Sequence, residues 1–291
     1  MSFIKEHITG PKKLELKGDF IVDDQNINEN QDLVIFVLSF VFFRIQKYSV
    51  IPKEPKEKYW KLEYNFILNI YEGLTDNIIM TNPIKLKVFL SCLLNYSRGL
   101  LDKGAEYMVD FATDITKLLQ GLTSSKEYLK DIDTFNLTNE YEKSVLLGIE
   151  KFKKSLNSQW AKDGLKNYLS SVNLENSSEE AIKLLKSMPI YLTSSELGIM
   201  GFVSFGFIVI SVANIKKAGV NISIGKNLTD FYFARTFMLT WHEAAHYLVR
   251  KMQKNYLSVT RRAKVEEKWA TYEAGYRLEF FFLIKLFNNK F

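Results

Sequence analysis

Five prolines punctuate this 291-residue chain, at positions 11, 52, 55, 83 and 189. Two tracts of about a hundred residues therefore contain none, and without that fixed φ and missing backbone donor such tracts can carry long helices. Apolar and aromatic residues recur at helical spacing over 57–75, through Tyr59, Trp60, Phe66, Ile67, Ile70 and Tyr71. The same period runs through 84–101, 104–121 and 139–156. Ser177-Ser178-Glu179-Glu180 has the form of a capping box and opens a helix to about Ser187. Residues 52–55, 121–125 and 173–178 read as connections.

The character of the chain changes after Pro189. Residues 191–193, 202–211 and 220–224 are rich in β-branched and aromatic types, and the last run alternates apolar with polar as a half-buried strand does. Thr229 or Asp230 can then cap a helix running to about Gln253. A second helix runs from about Ala263 to Leu286. The expected fold is mainly α, of the α+β type. A helical part spans 1–188; a small sheet and a pair of helices follow over 189–291. No internal repeat is visible.

Composition excludes several classes. Apolar residues make up 47% and charged residues 25%, which is ordinary for a globular chain and not for a disordered one. The single cysteine, Cys92, can form no intrachain disulfide and no cysteine-rich zinc knuckle; within Leu-Ser-Cys-Leu-Leu it reads as a buried apolar residue. The net charge is +6, but only seven of 39 basic residues are arginines. Seven basic residues and two glutamates fall within 250–268, so a local excess of five accounts for most of the total. A dispersed lysine background with few guanidiniums argues against a nucleic-acid partner. The N-terminus has no apolar signal core, and 197–213, the longest apolar run, is interrupted by Gly198, Gly201, Ser204, Gly206 and Ser211. A membrane span needs about 20 apolar residues, so a buried strand pair is the better reading and a cytoplasmic location is expected. The apolar end of the chain, Phe280-Phe281-Phe282-Leu283-Ile284, must be buried, docked or laid against a membrane.

One motif carries chemistry. Trp241-His242-Glu243-Ala244-Ala245-His246 is an H-E-x-x-H sequence inside the helix expected from Thr229. Residues i and i+4 share a helical face, so both imidazoles can reach one metal ion, and Glu243 stands beside it to take a proton from water. Only His7 lies outside the pair, and a chance match in a chain of this composition is roughly 1 in 500. Trp241, Tyr247 and Phe237 around the motif read as core.

A catalytic zinc site needs a third protein ligand. No histidine follows His246, which leaves a carboxylate on the next helix: Glu266, Glu267, Glu273 or Glu279. An antiparallel helix rising about 1.5 Å per residue returns to the level of the histidines near 270–273. Glu273, beside Ala270, Ala274 and Gly275, fits best; Glu267 is the second choice, and Glu266 beside Arg262 and Lys264 suits a surface ion pair. Arg277, four residues on from Glu273, can orient its carboxylate or form an ordinary helix pair with it.

His242-Glu243-Ala244-Ala245-His246 with a downstream helical glutamate resembles the zincin metallopeptidases, in particular the glutamate-ligand branch, the gluzincins. The likeness covers 229–279. It implies Zn2+ on His242, His246 and a glutamate, Glu243 as general base and proton shuttle, and a peptide or protein substrate. It also implies an edge strand that holds the substrate backbone, for which 202–211 and 220–224 are the candidates. The chain departs from the family in three respects, the first being that the downstream glutamate stands in no well-known form of the family's motif. No further histidine is available for the oxyanion, so Tyr256, Tyr272, Tyr276 or Arg277 must serve, and only 12 residues follow Glu279, so the N-terminal helices must supply the far wall. Two other readings fit the same residues: a zincin-like helical interaction module without turnover, and a membrane-associated protein anchored through 197–213.

Overall fold

A computed structural model describes residues 37, 70–82, 84–93, 118–123, 129–131, 139–174, 177–194, 199–221, 228–253, 275 and 278. The chain divides into two compact units: 1–128 with 195–198, and 129–194 with 199–291. Described residues are mostly helical and carry one small sheet, as expected of a mainly α chain.

Most described residues of the first unit are helical. Helix α1 (Asn77–Met80) starts at Asp76, whose carboxylate accepts from the N–H groups of Ile78 and Ile79. Asn82 does the same for residues 84 and 85 at the head of the helical stretch 84–93. Leu86, Val88, Phe89, Leu90 and Leu93 are fully buried there, and Cys92 is buried among them. Gly73 allows close packing: a Cβ on it would lie 2.4 Å from the Phe89 ring and 2.9 Å from Leu119.

The second unit holds the sheet. Strands β1 (Leu129–Asp131), β2 (Ile190–Thr193), β3 (Gly201–Val203) and β4 (Ile208–Ser211) lie in the order β1-β2-β4-β3. β1 runs antiparallel to β2, β2 parallel to β4, and β3 antiparallel to β4. Four helices precede or follow the strands: α2 (Glu140–Ser155), α3 (Gln159–Ser171), α4 (Ser178–Ser187) and α5 (Val212–Asn221). A fifth, α6 (Leu228–Met252), is 25 residues long, or about 37 Å. Asn139, Ser158 and Ser177 cap α2, α3 and α4 by accepting from the N–H groups of Glu142, Ala161 and Glu180.

Several expectations need correction. Residues 202–211 are not one continuous strand but lie in the buried strand pair expected of 197–213: β3, a tight turn and β4, with Gly206 at φ 90°, a conformation only glycine adopts cheaply. This hairpin also accounts for the apolar run at 197–213, and among the described residues no helix is long and apolar enough to cross a membrane. Val220 and Asn221 are not strand residues but the end of α5; residues 222–224 lie outside the described part. The alternating pattern there lost to a helix already begun at Ser211, whose hydroxyl accepts from the Asn214 N–H. Helix α3 had no counterpart in the expected elements, although Ser158 with Ala161, Leu165, Tyr168 and Leu169 carries the signal.

The core of this unit joins the helices to the sheet. Phe152 of α2, Leu165 and Tyr168 of α3, Leu185 of α4, Leu192, Ile208 and Ile210 of the strands, and Trp241 and Leu248 of α6 belong to one buried cluster. Trp241 has no exposed surface; its ring meets Phe152 edge-on at 4.7 Å and Trp160 at 6.1 Å. Tyr141 of α2 donates to the carbonyl of Val212, and burial raises its phenol well above the ordinary tyrosine value. α2 crosses α6 at Gly148, where a Cβ would lie 2.7 Å from the Phe233 carbonyl oxygen and 3.0 Å from the Phe237 nitrogen.

Candidate metal centre

α6 is buried continuously from Glu243 to Val249, with His242 half-buried at the edge of that stretch. Ala244 and Ala245 have no exposed surface, and the Tyr168 hydroxyl donates to the Ala245 carbonyl at 3.2 Å. The two alanines let the core close around the helix, and the helix in turn fixes where the motif's polar side chains point. Tyr247 is buried, and Phe237 packs against the core, as the sequence suggested.

The Nε2 atoms of His242 and His246 stand 3.4 Å apart. Two nitrogens bonded to zinc at about 2.05 Å and subtending a tetrahedral angle would be separated by about 3.3 Å. The pair therefore has the spacing of two ligands on one tetrahedral ion, and neutral imidazole nitrogen is a ligand zinc favours. His246 is 5% exposed and Glu243 6%, so both are held in a site from which most water is excluded.

Two further elements converge here. Gly201, which opens the outer strand β3, faces Glu243: a Cβ on it would lie 3.4 Å from the Glu243 Cγ and 3.5 Å from Leu239. Gly275 lies on the face of the His242 ring. A Cβ there would be 2.4 Å from Cε1, 2.4 Å from Nδ1 and 2.5 Å from Cδ2, so only glycine admits this approach. Gly275 and Leu278 are helical and buried, and Leu278 belongs to the same core cluster as Trp241. The second chain segment thus returns to the level of the histidines, and it does so at a glycine.

The carboxylates expected to complete the site, Glu273, Glu267, Glu266 and Glu279, lie outside the described residues, as do His7, Tyr256, Tyr272, Tyr276 and Arg277. Among the described residues no cluster of three metal-ligating side chains occurs. The sequence reading did not foresee Arg250, whose Nη1 donates to the Val203 carbonyl at 3.0 Å. Its seven-residue spacing from Glu243 was the available signal. Comparison with family models, curated proteins and solved structures found no match to this chain.

Proposed function

We propose that the chain is a zinc-dependent metallohydrolase, and specifically a metallopeptidase acting on peptide or protein substrates. The observation that carries this reading is the 3.4 Å separation of the two imidazole nitrogens, with Glu243 buried beside them. His242 and His246 would hold Zn2+, and the third donor would be a glutamate of the segment leading to Gly275. Zinc bound there would supply Lewis acidity toward a carbonyl and toward water. Glu243 would take a proton from the attacking water and deliver it to the leaving amine. β3, the sheet's outer strand next to Glu243, offers backbone groups for an extended substrate.

Glu273 is the first choice for the third ligand and Glu267 the second. Zinc content of Glu273→Gln and Glu267→Gln assigns the ligand, because only the ligating residue's loss should empty the site.

The reading as a whole is tested by three proteins. Wild type should carry zinc in a one-to-one ratio by elemental analysis, and His246→Ala should lose it. Glu243→Gln should keep the metal and lose at least a hundredfold in peptide hydrolysis, the range expected of a general base. Zinc bound with equal turnover in Glu243→Gln would remove Glu243 from its role. Zinc bound without turnover in wild type would leave the interaction module as the function. Wild type without zinc would sink the metal site.

A further inference from the structure

The hydrogen bonds that flank β3 fix the direction of its backbone groups. The Ser211 N–H donates to the Met200 carbonyl at 2.8 Å and the Ser204 N–H to the Phe207 carbonyl at 2.8 Å, so residues 200 and 204 face β4. Alternation along an antiparallel strand places Phe202 with them. The N–H and C=O groups of Gly201 and Val203 therefore point away from β4, off the outer edge of the sheet among the described residues. A pairing strand would meet these two residues. They differ in their surroundings: Gly201 lies beside Glu243, whereas the Val203 carbonyl accepts from Arg250 of α6. Glu243 and Arg250 are seven residues apart, two helical turns, and share the face of α6 that β3 follows.

We propose that Arg250 is a positioning residue. Its guanidinium ties the far end of β3 to α6, occupies the pairing position at Val203, and so confines an extended peptide to the position at Gly201 beside Glu243. Arginine suits this use because it donates from a rigid planar fork and keeps its charge at every working pH. The inference rests on the peptidase reading only in taking the paired peptide as substrate; the tether would place an uncleaved partner strand in the same way.

Amide hydrogen exchange of the full chain tests it, in wild type, Arg250→Met and Arg250→Lys. In Arg250→Met the amides of Phe202 and Ser204 should exchange at least tenfold faster while those of α2 and β2 keep their rates, and Arg250→Lys should restore part of the protection. Unchanged exchange in β3 overturns the proposal. So does a uniform acceleration of all segments, which would make Arg250 a general stabiliser. Cleavage sites on casein, mapped by mass spectrometry, supply a second readout: Arg250→Met should add sites two residues away from those of wild type, and an identical set also overturns the register role. Absence of cleavage by wild type counts against the peptidase reading alone, because the exchange rates decide the tether independently.

Discussion

Gly275 shows how one missing methyl group can decide a site. Its backbone lies on the His242 ring, and a side chain there would meet three ring atoms within 2.5 Å. Gly275→Ala must move either the imidazole or the segment. Such overpacking typically costs about 1–3 kcal/mol and, in a ligand, spoils metal geometry as well. Zinc affinity measured by competition with a chromogenic chelator should fall at least tenfold, with the far-ultraviolet circular dichroism unchanged. An unaltered affinity would mean that the glycine serves packing only. The histidine pair and Glu243 were legible in the sequence because i and i+4 on a helix need no tertiary information to converge. The approach of Gly275 had been anticipated as a place where backbones can come close; its contact with His242 in particular had not.

Local rules account for most of the elements. Ser177 caps α4 as its capping-box pattern implied, and the periodicity of 139–156 matches α2. The rules failed at 220–224, where alternation is compatible with a strand but the preceding turn had already committed the chain to α5. They also missed β1, a three-residue strand that exists only because β2 is present to pair with it. In the first unit, the Lys85 ammonium reaches the Leu122 carbonyl at 2.6 Å, beside the C-terminal end of the helical residues 118–123. Burial lowers the Lys85 pKa below 10.5, with Asp76 opposing. The unfolded chain recovers the ordinary value, so in the window below it the unfolded state binds more proton and stability rises with pH. The urea midpoint should increase from pH 8 to pH 10, and Lys85→Met should flatten that slope. A wild-type midpoint independent of pH over this range would show that the folded lysine titrates normally. Tyr141 opposes the trend only above the ordinary tyrosine value, where the folded state retains the proton longer.

Within the second unit, the histidine pair and the fold are mechanically one object. α6 carries the histidines, and it is positioned by Trp241 against Phe152 and Trp160 and by close approach to α2 at Gly148. Gly148→Leu should separate the two helices, lower the thermal midpoint by several degrees and release zinc in the same transition. Zinc retained after that separation would show that the site does not depend on the helix crossing. The change of composition at Pro189 marks where β2 begins, and the compact units divide near 128, because α2, α3 and α4 bury their apolar faces with the sheet and α6. Composition reports which secondary structure a segment favours; it does not report which neighbour covers the resulting apolar face. The same distinction runs through the whole molecule. Helical periodicity, caps and the H-E-x-x-H spacing are short-range, so the amino-acid order was enough to place α2, α4, α6 and the two imidazoles. The order of the strands, the outward groups of β3, the reach of Arg250 to Val203 and the contact of Gly275 with His242 join residues dozens of positions apart. Only packing, through burial and close approach, brings those together.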